Sequence, residues 1–169
     1  MKTALILLVP EAEALVDDLR HAHDPAVLQG VPAHITVLYP FRPLERLDDA
    51  AMGQAERLIG DLPAIDISFR AVGRFPGVLY LAPEPRAPID RLTQALAAAF
   101  PDCPPYGGKF PDPIPHLTFA LGDETVLDGV ELEMRTRLRA PIRARIDSCS
   151  LFKFADDRWR EAARFGFSV

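Results

Sequence analysis

The chain has 169 residues, 49% hydrophobic and 25% charged, which is ordinary for globular proteins and excludes disordered, collagen-like and disulfide-framework classes. Nineteen basic against twenty-four acidic side chains give a net charge of −5. That balance argues against binding to long duplex nucleic acid and leaves a small phosphorylated ligand open.

The charge is uneven. Residues 1–130 hold 10 basic and 18 acidic side chains, whereas residues 131–169 hold 9 and 6. The positive end contains Arg135, Arg137, Arg139, Arg143 and Arg145, read as a solvated helix end and strand. Arg outnumbers Lys 16 to 3, which with 17 prolines fits the coding bias of a GC-rich bacterial genome. Cys103 and Cys149 form no CxxC pair, so a reducing cytoplasm is the expected location.

Ala4–Val9 is a continuous apolar run that stops at Pro10. It is too short for a secretion signal or a membrane span and predicts a buried strand. Glu11–His21 has apolar residues at helical spacing and predicts the first helix. Val31–Phe41 predicts a second strand, and Asp48–Ile59 a second helix. Ile65, Ile67 and Phe69 alternate, predicting a third strand, with a turn at Arg74–Gly77 and a fourth strand at Val78–Leu81. The pattern then repeats. A helix is expected from Pro88, a Pro/Gly-rich loop from Pro101 to Pro115, and a strand at Leu117–Leu121. A further helix carries Leu127, Val130, Met134 and Leu138. A strand from Ile142 runs on to Phe154, and a last strand spans Trp159 to Phe167.

In order this is βαβαβ, βαβαβ and a final strand. The expected organisation is a single domain of two pseudo-symmetric lobes, approximately 1–75 and 76–169. The interface between such lobes is a natural ligand site.

Four histidines occur: His21, His23, His34 and His116. Two begin a His-x-Thr motif, His34-Ile35-Thr36 and His116-Leu117-Thr118, each in the second strand of its repeat. A single such motif carries no information. Thr is about one residue in twenty, so two hits among four histidines arise by chance about one time in fifty. In a strand, residues i and i+2 share a face, about 6.7 Å apart. An imidazole and a hydroxyl from each repeat would then converge on one phosphate. In-line displacement at phosphorus needs a base on one side and an acid on the other, which two histidines supply without a metal. The threonine hydroxyls would face the non-bridging oxygens.

Val31-Pro32-Ala33-His34-Ile35-Thr36-Val37-Leu38-Tyr39-Pro40-Phe41 and Pro115-His116-Leu117-Thr118-Phe119 together resemble the two-histidine phosphoesterase superfamily. Its members include the LigT-like bacterial 2′,5′ RNA ligase proteins and cyclic nucleotide phosphodiesterases. The resemblance extends to the loop Tyr106-Gly107-Gly108-Lys109-Phe110 and to Phe75–Leu81. It implies a bilobal α+β fold, with two antiparallel sheets facing a central cleft and helices outside. It implies hydrolysis of a 2′,3′-cyclic phosphodiester to a 2′-phosphate. By the same resemblance His34 is the proton donor, His116 the proton acceptor, and Thr36 and Thr118 bind the phosphate.

Tyr39, Phe41 and Phe75 are further candidates for stacking on a base, and Lys109 for reaching a phosphate. Asp112 and Asp123 flank the second motif, and either would serve to orient a histidine. No metal or other cofactor is expected, because there is no HExxH motif and no cysteine pair. The expected partner is a small nucleotide or an RNA end, with no long duplex and no membrane, and the expected state is a monomer. Alternatives are RNA ligation, hydrolysis of an ADP-ribose-type cyclic phosphate, and a non-catalytic nucleotide- or RNA-binding module.

Overall fold

The computed structural model describes residues 1–169. The elements are β1 (Thr3–Leu8), α1 (Glu13–His23), α2 (Pro25–Leu28), β2 (His34–Leu38), α3 (Asp49–Gly60), β3 (Ile65–Phe75) and β4 (Val78–Glu84). They continue as α4 (Ala87–Ala99), β5 (Leu117–Leu121), α5 (Glu124–Arg137), β6 (Ile142–Ile146), β7 (Ser148–Ala155) and β8 (Arg158–Gly166). Two four-stranded sheets form, β2-β1-β7-β8 and β5-β4-β3-β6, and every pairing is antiparallel. The fold is therefore α+β, as expected.

Helix placement follows the apolar spacing. Val16 and Leu19 of α1, Ala51, Ala55 and Ile59 of α3, Ile89, Leu92 and Leu96 of α4, and Leu127, Val130 and Met134 of α5 are buried. Asp48 caps α3 by accepting from the Ala51 N–H at 2.8 Å. These faces cover one side of both sheets, where Leu5 and Leu7 of β1 and Leu79 and Leu81 of β4 join the main core. The helices cross between sheets: α1 lies against β5, and α4 lies against β2.

The sheets do not follow the two halves of the sequence. β3 leaves the first half and forms a hairpin with β4 through Pro76-Gly77, where Gly77 takes a φ of +74°. β7 and β8 return to the first sheet beside β1. Consequently β2 and β5, each second in its repeat, both lie at sheet edges.

Three boundaries differ from the sequence expectation. β2 covers only His34–Leu38 of the expected Val31–Phe41. Before it, the Ala33 N–H is taken by the Glu13 carboxylate at 2.6 Å, and Pro32 has no N–H to offer. β3 runs through the expected turn to Phe75. The expected long strand from Ile142 to Phe154 is two strands in different sheets, parted at Asp147. β6 pairs with β3 and β7 pairs with β1, so the chain has to leave one sheet for the other at that residue.

Gly73 on β3 lies opposite Tyr80 on β4, and the Tyr80 ring rests on its backbone. A Cβ at Gly73 would sit 2.2 Å from that ring. Gly73→Ala is expected to cost about 1–3 kcal/mol, the usual penalty of overpacking. Gly129→Ala, in open space on α5, should instead stabilise by up to about 1 kcal/mol. Thermal unfolding of the two variants checks the contrast.

Candidate active site

The period of a strand places the two motifs. In β2, Ile35 and Val37 are buried in the main core, while His34 and Thr36 are half-buried on the opposite face. In β5, Leu117 and Phe119 are in the core, and Thr118 is half-buried on the other side. His116 stands immediately before that strand and is also half-buried.

Each imidazole is fixed by its own backbone. His34 Nδ1 lies 2.8 Å from the Pro32 carbonyl, and His116 Nδ1 lies 2.7 Å from the Ile114 carbonyl. A carbonyl only accepts, so Nδ1 carries the proton in both rings and donates it. The neutral rings therefore keep a free lone pair on Nε2. Both bonds span two residues, so the two motifs hold their histidines in the same way. Neither aspartate suggested by the sequence has this role: Asp112 lies 3.4 Å from Arg86, and Asp123 stands at the N-terminus of α5.

Tyr106 links the two motifs. It sits in the loop before β5 with a φ of +53°, and its N–H donates to the Tyr39 carbonyl at 2.6 Å. Its hydroxyl lies close enough to the Thr36 side chain for Thr36 to hold the phenol pKa down, against the larger rise that burial causes. Its ring stacks near His116, with centroids 6.4 Å apart and planes 23° apart. One side chain thus meets a residue of each motif. His116 is further enclosed by Phe75 at 5.3 Å and Tyr80 at 5.5 Å, and those two rings stack on each other at 4.5 Å.

Next to His34 is a cavity of about 140 Å³, lined among others by His34, Thr36, Ile6, Tyr39, Phe152 and Trp159. Seven of its nine lining residues are hydrophobic, so it suits a flat apolar group beside the polar pair. Tyr39 and Trp159 meet edge to face at 6.1 Å.

The other expected residues divide. Tyr39 lines the cavity beside His34, and Phe75 packs edge to face on the His116 ring. Phe41 does neither: it is 4% exposed, in the main core, with its ring 5.0 Å from Phe100. β2 has ended at Leu38, so the strand period no longer sets the direction of this side chain. Lys109 is exposed in the loop after Tyr106. His21 lies on the last turn of α1 against Asp17. Tyr80, Tyr106, Phe152 and Trp159 also border the site, although the sequence assigns them no role there. Strand alternation beside Leu79 and Leu81 is the one signal that marks Tyr80. Nothing local marks Tyr106 except the Gly-Gly pair after it.

Burial makes both rings weak bases. The His34 pKa is lowered from 6.5 to about 4, first by desolvation, with smaller contributions from the charges of Arg20 and His116. The Pro32 carbonyl and Asp24 oppose that shift. His116 is lowered by burial against the opposing pull of the Ile114 carbonyl. Both rings are therefore neutral at pH 7. No cluster of three or more His, Cys, Asp or Glu side chains is placed to hold a metal ion. No helix is long and apolar enough to cross a membrane.

The 2′-5′ RNA ligase superfamily matches residues 8–158. The chain belongs to this superfamily. Its fold is similar to that of E. coli LigT complexed with 3′-AMP, with a TM-score of 0.61 at 18% identity over 99% of this chain and 98% of that one. E. coli LigT complexed with NADP+ gives 0.58 at 18% identity over the same shares. TT0787 of Thermus thermophilus gives 0.63 at 19% identity, covering 98% of this chain and 97% of that one. No curated protein matches the sequence significantly. Membership implies an activity of the phosphoesterase or RNA ligase type.

The lowered pKa of His34 has a consequence for stability. The unfolded chain takes up a proton near pH 6.5 that the folded site refuses until about 4. The contribution of the neutral ring is therefore complete above pH 6.5 and is lost as pH falls toward 4. Between pH 7 and pH 5 this amounts to about 2 kcal/mol. Denaturant unfolding at the two pH values should show that loss, and His34→Gln should reduce it. Sulfate, whose charge favours the imidazolium, should restore part of it in the parent protein.

Proposed function

We propose that the chain hydrolyses a 2′,3′-cyclic phosphodiester, on an RNA end or a small nucleotide, to a 2′-phosphate without a metal. The observation that carries this reading is the paired Nδ1–carbonyl bonds, which leave two Nε2 atoms as the free nitrogens of the cleft. The two halves of the chain, 1–75 and 76–169, act as a duplicated unit, each supplying one histidine and one threonine.

In the proposed reaction His116 Nε2 takes a proton from water as its oxygen attacks phosphorus. The bond from phosphorus to the 3′ oxygen breaks, and His34 gives that oxygen a proton. His116 ends the cycle protonated and His34 neutral, and exchange with solvent resets the pair. Thr36 and Thr118 donate to the non-bridging oxygens, where charge accumulates. Both rings are neutral at pH 7 before substrate arrives, so the phosphodiester itself must raise a pKa and bring in the proton that His34 donates. Tyr39 and Trp159 bound the apolar cavity beside His34, which takes the base. Ligation would put the 5′ hydroxyl of a second strand in place of the attacking water: His116 takes that hydroxyl's proton, the bond from phosphorus to the 3′ oxygen breaks with a proton from His34, and a 2′,5′ linkage forms. The 3′-AMP complex of LigT is consistent with a nucleotide-sized ligand in this fold.

The assay is turnover of 2′,3′-cyclic nucleotides. His34→Ala and His116→Ala should each lower kcat by at least about 100-fold, within the 10²–10⁴ typical of acid–base assistance. Thr36→Ala and Thr118→Ala should be milder. The pH profile should be a bell, its limbs belonging to the coupled pair. The bound phosphate should move the limbs of kcat above those of kcat/KM. Activity should survive EDTA. A flat pH profile, or near-normal turnover by His116→Ala, would reject the mechanism. Substrate binding without turnover would instead favour a non-catalytic nucleotide-binding module.

A further inference from the structure

The second sheet has one face in the core and one face open. On β4, Leu79 and Leu81 are buried in the core, whereas Tyr80 and Glu84 share the opposite face. Tyr80 is the residue that stacks beside His116. Glu84 lines a polar groove of about 580 Å³, together with Asp66, Ser68, Arg70, Arg143 and Arg145. Strand parity therefore puts the groove on the same open face as His116 and Thr118.

The register fixes its distance from the histidine. Leu81 pairs with Leu117, so His116 stands level with Ala82, and Ala82 pairs with Ala71 on β3. Arg70 is the extra residue of the β-bulge between Phe69 and Ala71. Bulges beside active sites commonly re-aim a side chain. Two strand spacings place the Arg70 backbone about 10 Å from that of His116. Arg143 lies opposite Ser68, one strand further. That puts it about 16 Å from His116.

The charges in the groove are not equivalent. Arg145 is held by Asp66 at 2.8 Å, and Arg70 stands 4.0 Å from Glu84. Arg143 is exposed and has no carboxylate partner. The three guanidinium groups stand on β3 and β6, the strands beyond β4 from His116, so phosphates of a chain extending across this face would meet them. A 2′,3′-cyclic phosphate lies at the 3′ end of a chain, so every phosphate that could reach the groove is an upstream one. A mononucleotide would not reach it.

We propose that Arg70, Arg143 and Arg145 bind the phosphates of the nucleotides upstream of the reacting one, so that the substrate is the 3′ end of a single-stranded oligonucleotide. This rests on the reading of His34 and His116 as the hydrolytic pair, but its test is separable from that reading. The first arm compares kcat/KM for a 2′,3′-cyclic mononucleotide with that for trimers and hexamers ending in the same group. The parent protein should favour the hexamer by at least about 10-fold, and Arg70→Ala/Arg143→Ala should bring the ratio toward one. The second arm needs no turnover. A fluorescein-labelled hexa-adenylate is titrated at several salt concentrations and followed by anisotropy. Each lost phosphate contact should reduce the slope of log affinity against log salt by about 0.7. The double variant should therefore lose about 1.4. Arg139→Ala, outside the groove, should leave the slope unaltered. Equal kcat/KM at all lengths, or a slope unmoved by the double variant, overturns the proposal. Absence of turnover with the slope change intact rejects the hydrolytic reading and keeps the groove.

Discussion

Everything in the cleft depends on one short hydrogen bond made twice. In each motif an imidazole donates Nδ1–H to the carbonyl two residues before it. That bond sets the tautomer, the ring orientation and the free nitrogen together. It needs no second side chain, so a substitution elsewhere cannot easily disturb it. It does need the histidine at the start of an edge strand, where the preceding carbonyl is not claimed by a neighbouring strand. The sheet orders meet that condition, since β2 and β5 are both edge strands. The crossed helices, α1 on β5 and α4 on β2, then tie the two edges to each other's cores.

Much of this is legible in the sequence because strands write their faces with period two. His34 and Thr36 against Ile35 and Val37 is a pattern readable without coordinates, and so is the second motif. Helices are legible for the same reason at their own period. Pairing between sheets is not. Nothing in Ile142–Phe154 says that the chain changes sheet at Asp147, because both sides of that residue are good strand sequence. Phe41 reads as a cleft residue only if the strand period is carried past Leu38, where the strand ends. Carboxylates are the side chains that residue types offer for orienting a histidine, whereas the molecule uses main-chain oxygens, which no residue type announces. Tyr106 lies in a loop, and its place between Thr36 and His116 is a product of tertiary structure alone.

Charge misleads in a similar way. The Arg-rich end of the chain reads as one cluster, but it serves two faces. Arg135 and Arg137 belong to α5, and their partners are carboxylates: Glu131 for the first, Asp18 and Glu133 for the second. Arg143 and Arg145 belong to β6, where alternation with the buried Ala144 turns them to the open face. A net charge of −5 therefore coexists with a basic strip near the cleft. What a phosphate meets is the local field, and that is set by strand parity rather than by the total.

The two histidines are alike in anchoring but unlike in surroundings. His116 is packed among aromatic rings, and burial alone lowers it. His34 also feels the buried guanidinium of Arg20, which is 1% exposed, paired with Asp24 at 3.0 Å, and left with one Nη1 unsatisfied. Burial is the first cause of the low His34 pKa, and the Arg20 charge adds to it against the opposing charge of Asp24. Under the proposed roles, the ring asked to donate is one whose pKa burial holds at about 4, so it gains its proton only in the field of the bound phosphate. Once formed, such an imidazolium is a better proton donor than an unperturbed one. Population lost and reactivity gained oppose each other, so a low pKa in the donor need not slow the reaction. A proton placed on His116 instead would leave no base facing the attacking water.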